Sequence, residues 1–96
     1  MQAPSAGLSR RIVSKAKETA RNLVPHLKLA TGRKALVFVY APDRIDDVTY
    51  SIRIVISRNG REFEHVEQVN RDNYETPINE IMTRIVRWAE SIMETI

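Results

Sequence analysis

"VISRNGREFEH", residues 55–65, is the stretch whose reading decides how this chain folds. Asn59-Gly60 separates two runs in which apolar and polar side chains alternate. An Asn-Gly pair supplies the two positive-φ positions of a type I′ hairpin turn. A two-residue loop also sets the register. Arg58 faces Arg61, Ser57 faces Glu62, Ile56 faces Phe63, Val55 faces Glu64, Ile54 faces His65 and Arg53 faces Val66. Directly opposed residues share a face. Ile54, Ile56, Phe63 and His65 therefore point one way, taken here as the helix side, and Arg53, Val55, Glu64 and Val66 point the other. Arg53 and Glu64 become diagonal neighbours, suited to a surface ion pair worth under about 1 kcal/mol.

Working outward, "DVTYSIRIVISR" and "REFEHVEQVN" are the two arms of the hairpin, with strands over about 48–58 and 61–69. Glu67 falls on the core side, which places it at the sheet margin or requires a bulge near His65. Upstream, "KALVFVYA" is a strand over about 34–41, apolar on both faces, and "PDRIDD" reads as a turn or loop signalled by Pro42 and Asp43. The outer face is then expected to carry Val37, Val39, Val55 and Val66, with Ser51, Thr49 and Arg53. Such a face suits a partner or dimer surface, or it reflects no more than the β-propensity of valine.

A helix precedes the strands and another follows them. Leu8, Ile12, Val13, Ala16, Ala20, Leu23 and Val24 share one face at 100° per residue, which predicts a helix from about Ser9, as N-cap, to Val24. Pro25 lacks an N–H and should kink or stop it. The pattern resumes with Leu27 and predicts a continuation to about Ala30, with Gly32 at the exit. Residues 1–7 read as a frayed start, and Arg71–Glu75 as a polar link. The last helix spans about 77–96, with Thr76 as cap and Pro77 at its first position. Glu80 and Arg84 are spaced for an i, i+4 pair. Its Met and Ile stripe is core, and it is wide enough to suit a homodimer as well. The expected fold is one α+β domain over 1–96, two layers in the order α-β-β-β-α, with a three-stranded antiparallel meander and both helices on one face.

That order is similar to the order of the double-stranded-RNA-binding domain over about residues 9–96. In that family a lysine cluster opens the second helix. Here the corresponding stretch reads "ETPINEI", with two acids and no basic residue, and the family's Gly- and His-containing loop is missing. Membership is not assigned, and fold alone does not carry function.

Charge is the strongest functional signal. Residues 1–34 hold eight Lys or Arg against one acid, net +7, while residues 35–96 hold seven against eleven, net −4. The eight are Arg10, Arg11, Lys15, Lys17, Arg21, Lys28, Arg33 and Lys34. On an ideal wheel Arg10, Lys17, Arg21 and Lys28 fall within about 40°. A row of cations at three- to four-residue steps suits a phosphate backbone, because each contact releases a condensed counterion. No aromatic side chain interleaves with them in the sequence, so stacking on single-stranded bases is not expected. The leading expectation is a non-catalytic module that contacts nucleic acid through this helix. The alternative is a small protein-interaction factor (an inhibitor, adaptor or assembly subunit of phage or mobile-element type) that works through the open sheet face or the last helix.

Other chemistries find less support. The chain has no Cys, so neither disulfides nor thiolate metal sites arise, which fits a reducing compartment and an expected cytoplasmic location. His65 and Glu67 offer two metal ligands without an evident third. Asp43, Asp46 and Asp47 lack the glycine and terminal glutamate of a calcium loop. His26 reads as a surface or capping residue. Three scattered glycines make no phosphate loop, and no nucleophile motif is present, so neither an enzyme nor a cofactor is expected. The longest apolar run, residues 35–41, is far shorter than the roughly 20 residues a bilayer requires. No secretory signal opens the chain, and the basic "GLSRRIVSKAKETARNLV" is more simply a structural helix than a transit peptide.

Overall fold

The Asn-Gly turn forms as its chemistry requires: Asn59 has φ 53° and Gly60 φ 77°. From it the hairpin runs unbroken, from Arg58↔Arg61 to Thr49↔Asn70, in the register expected. A computed structural model describes residues 4–40 and 42–95, and side chains over 7–94 with Ala41 excepted. Parts of three expected elements (the frayed start at 1–3, Ala41 in the first strand and Ile96 in the last helix) lie outside the described residues.

The elements are α1 (Pro4–Thr31), β1 (Leu36–Val39), β2 (Asp43–Asp46), β3 (Thr49–Arg58), β4 (Arg61–Asn70) and α2 (Ile78–Thr95). β3 is the centre of an antiparallel sheet. β4 pairs along one side of it, while β1 and β2 share the other side, at Ile54–Ser57 and Thr49–Ser51 respectively. The meander thus has three lanes, and its first lane is broken once. The break falls at Pro42, which lacks an N–H and is tolerated only at an edge. "PDRIDD" is therefore not wholly a loop: Asp43–Asp46 pair with β3, with a register shift between Arg44 and Asp46. Asp46 closes the turn to β3 by accepting the Val48 N–H at 2.9 Å.

α1 starts earlier than expected, so Ser9 lies inside the helix rather than at its cap. It also passes Pro25 without stopping. Pro25 is exposed, so the carbonyl that its ring leaves without a helical partner is on the side where water can reach it. The helix ends where a left-handed residue becomes necessary, at Gly32 with φ 62°. Two threonines on the buried face, Thr19 and Thr31, satisfy their hydroxyls by donating to the carbonyls of Lys15 and Leu27.

Both helices cover the same face of the sheet. Ile12, Ala16, Leu23 and Leu27 of α1 and Ile81, Ile85, Ala89 and Ile92 of α2 enclose Ile52, Ile54, Ile56 and Val69. Each fully buried aliphatic side chain of this kind contributes roughly 1.5–3 kcal/mol. The far end of α2 is tied to the sheet by Arg58, whose guanidinium donates to the Met93 carbonyl at 2.9 Å.

The register of β1 corrects one expectation. Val37 lies opposite Ile56 and Val39 opposite Ile54, so both valines face the helices and pack on the core. The open face of β1 belongs to Leu36 and Phe38, continued by Tyr40. A second correction concerns Arg84. It does not pair with Glu80 but reaches across to Glu67 on β4.

Candidate nucleic-acid interface

α1 is built so that its cations face away from its core. Ile12, Ala16, Thr19, Leu23 and Leu27 are buried, and the wheel positions of Arg10, Lys17, Arg21 and Lys28 lie on the opposite side. All four are exposed, as are Arg11, Arg33 and Lys34, and Lys15 is half-buried. From Arg10 to Lys28 the row spans about 27 Å at 1.5 Å per residue. Among the described residues none of these eight side chains makes a hydrogen bond or an ion pair within the chain. Glu18, the one acid on α1, is exposed and joins no ion pair.

Four of the seven arginines elsewhere behave otherwise, while Arg61, Arg71 and Arg87 make no side-chain hydrogen bond or ion pair among the described residues. Arg44 pairs with Asp47. Arg53 bonds Glu64 at 3.1 Å and lies over the Tyr40 ring, 4.1 Å from its centroid. The Arg53–Glu64 pair is the one that the hairpin register implied.

The fold draws the eight cations into smaller groups. Arg10, Arg11 and Lys15 border a shallow hollow of about 490 Å³ together with Ser14, Glu18 and Tyr74. Tyr74 corrects the reading that no aromatic accompanies these cations. It comes from the link between β4 and α2, which is folded into a tight loop. The Asn70 N–H donates to the Asn73 side-chain oxygen at 2.8 Å, the Asn73 amide donates to the Gln68 carbonyl at 2.8 Å, and the Tyr74 N–H donates to the Asn70 carbonyl at 2.9 Å. A lone tyrosine inside a run of polar residues was the only signal available. At the other end of α1, Lys28 and Arg33 flank an apolar groove against β1. Lys34 stands nearer Arg58 and Met93.

Of the expected partner surface, Arg53 and Val66 are exposed on the open face of the sheet. Val55 is on that face but only 7% exposed, and Val37 and Val39 have turned inward. Exposed apolar groups on that face include Leu36, Phe38, Tyr40 and Val66, at 64%, 45%, 42% and 49%.

His65 and Glu67 do meet, but as a hydrogen-bonded pair at 2.9 Å. Glu67 stays on the core side without a bulge, because its carboxylate is held by His65 and Arg84 at once. The His65 ring packs on Trp88 with centroids 5.1 Å apart. Among the described residues no group of three or more His, Cys, Asp or Glu is placed to hold a metal ion, and no helix is long and apolar enough to cross a membrane. His26 is exposed, with Nδ1 3.0 Å from the Asn22 carbonyl. Set against protein-family models, curated proteins and solved structures, the chain matches none of them.

Proposed function

We propose that this chain is a non-catalytic module that holds nucleic acid by its phosphate backbone, along the exposed face of α1. One observation carries the reading: among the described residues all eight cations of α1 and its exit are left without a partner, whereas four of the seven other arginines find one. Unpaired ammonium and guanidinium groups keep their hydration and their counterions. Contact with such a group neutralises a phosphate, and the counterions released from the condensed atmosphere of the nucleic acid supply the affinity. Tyr74 beside Arg10 and Arg11 adds a flat apolar surface at one end, the kind of group on which a base stacks. A second reading, a small protein-interaction factor, is favoured by the exposed Leu36, Phe38, Tyr40 and Val66.

Titration of a 20-base-pair duplex against salt tests the first reading. If the four cations of the row each meet a phosphate, the log–log slope is near −3.6, at about −0.9 per contact. A slope near zero, or no binding at low salt, removes the proposal.

A further inference from the structure

The two edges of the sheet are not alike. The Tyr40 N–H donates to the Arg53 carbonyl at 2.9 Å. In an antiparallel ladder, residues facing the partner strand alternate with residues whose N–H and C=O point away from it. Since Tyr40 faces β3, so do Phe38 and Leu36, and the N–H and C=O of Val37 and Val39 point to the free edge. No described residue bonds them there. The same parity directs the backbone of Glu62, Glu64, Val66 and Gln68 to the free edge of β4. Charged side chains on an edge strand discourage strand addition. β4 carries Glu62 and Glu64 on its open face, whereas β1, "LVFV", carries no charge at all.

Beside the unguarded edge runs an open groove of about 660 Å³ between β1 and the last turns of α1. Its floor is Pro25, Leu29, Leu36 and Val37. Lys28 and Arg33 flank it, and no acid lines it. Leu29 is 83% exposed and Leu36 64%.

We infer that the β1 edge takes an extended segment of another protein, with alternating acidic and apolar residues, as an added strand. The Val37 and Val39 backbone supplies the hydrogen bonds. The acidic row of the incoming side chains lies over the groove, its stems on Leu29 and its carboxylates toward Lys28 and Arg33, and the apolar row lies on Leu36 and Phe38 of the open face. Lys28 and Arg33 select acidic residues in the guest. The same charges oppose a second copy seated edge to edge, which would bring both cationic rims together. This mode of recognition draws affinity from main-chain bonds and specificity from pockets for alternate side chains. It shares Lys28 and Arg33 with the phosphate-binding reading but needs neither Arg10, Lys17 nor Arg21.

The full chain, ¹⁵N-labelled, is titrated with a synthetic twelve-residue peptide of alternating Glu and Val, and with its Lys-for-Glu counterpart. The expected result is binding of the acidic peptide only, with slowed amide exchange at Val37 and Val39. Leu29→Glu should weaken it by about tenfold or more, because it removes the apolar stem contact and sets a like charge against the guest's acids. Leu29 is exposed, so this variant should fold. Arg33→Glu, at a second exposed site, should weaken it independently. Arg33→Glu also removes one of the proposed phosphate-binding cations and should weaken duplex binding as well, whereas the uncharged Leu29→Ser should weaken peptide binding alone and leave duplex binding through Arg10 and Arg21 unchanged. The inference is overturned by any of four results. The acidic peptide fails to bind, or both peptides bind equally. Exchange slows along β4 instead. A duplex alone slows exchange at Val37 and Val39. Light scattering shows a dimer or larger assembly that Leu29→Glu dissolves.

Discussion

Two regions of this molecule treat positive charge differently. Along α1 and its exit, eight cations stand with one acid among them, and none has a partner among the described residues. Across the sheet and α2, Arg44, Arg53, Arg58 and Arg84 each reach a carboxylate or a carbonyl of the same chain, while Arg61, Arg71 and Arg87 reach none among the described residues. The difference is one of acceptor supply, since residues 35–96 hold eleven of the twelve acids. A cation that finds an acceptor serves the fold. One that finds none costs little: two unit charges 10 Å apart in water repel by about 0.4 kcal/mol, and salt at 0.1 M screens most of that. The row on α1 is therefore cheap to keep and open to an outside anion.

The contrast breaks most visibly in a fourfold charge reversal of Arg10, Lys17, Arg21 and Lys28 to Glu. Duplex affinity should fall by about a thousandfold at 0.15 M salt, the counterion-release value of four phosphate contacts. Folding stability should hardly move, since exposed positions of this kind shift it by about 0.5 kcal/mol or less each. Anisotropy titration and urea unfolding on the same variant decide the matter. A variant that unfolds would show that the row serves the fold after all.

The opposite signature is expected of Arg58→Ala. The guanidinium holds the Met93 carbonyl at the end of α2, where a cation also suits the helix dipole. Its loss should cost roughly 1.5–2 kcal/mol in urea unfolding and leave duplex affinity unchanged. Gly60→Ala acts on the sheet alone. Its φ of 77° is a conformation that L side chains rarely adopt, so about 1 kcal/mol is expected, again with no effect on binding.

How far the sequence could be read follows from how local each determinant is. The hairpin was legible because Asn59-Gly60 fixes ten pairings by itself. The cation row was legible because a helix maps spacing onto a face with no outside information. The face of Val37 and Val39 was not, because the pairing of β1 with β3 is set across Pro42 and the Asp47-Val48 turn, and a slip of one residue inverts every side chain. "PDRIDD" hid a strand for the same reason: Asp43–Asp46 gain their ladder from β3, while their own residues favour turns. Arg84 had a legal partner four residues away in Glu80. It went instead to Glu67, whose side chain is only 11% exposed, where an opposite charge relieves more desolvation than it does in open water. Tyr74 reached Arg10 and Arg11 only through the folding of the whole β4–α2 link, which nothing nearby in the chain announces.

The smallest effect tests the comparison most closely, because it concerns an engaged arginine that is still half in solvent. Arg53 is 44% exposed and its partner Glu64 51%. The ion pair is therefore worth under about 1 kcal/mol, and stacking on Tyr40 adds about 0.5–1 kcal/mol at an exposed site. Arg53→Ala should lose about 1 kcal/mol in all. The two contributions separate with salt: the Glu64 share fades as ionic strength rises, while contact with the Tyr40 ring persists. A double-mutant cycle with Glu64→Ala at low and at high salt measures the first share, and a cycle with Tyr40→Leu measures the second. Because Arg53 lies on the sheet face turned away from α1, duplex affinity should stay at the wild-type value in every member of both cycles. If Arg53→Ala weakened duplex binding as much as Arg21→Ala does, engaged and unengaged cations would be acting as one general positive field. The boundary drawn between the two regions would then carry no functional meaning.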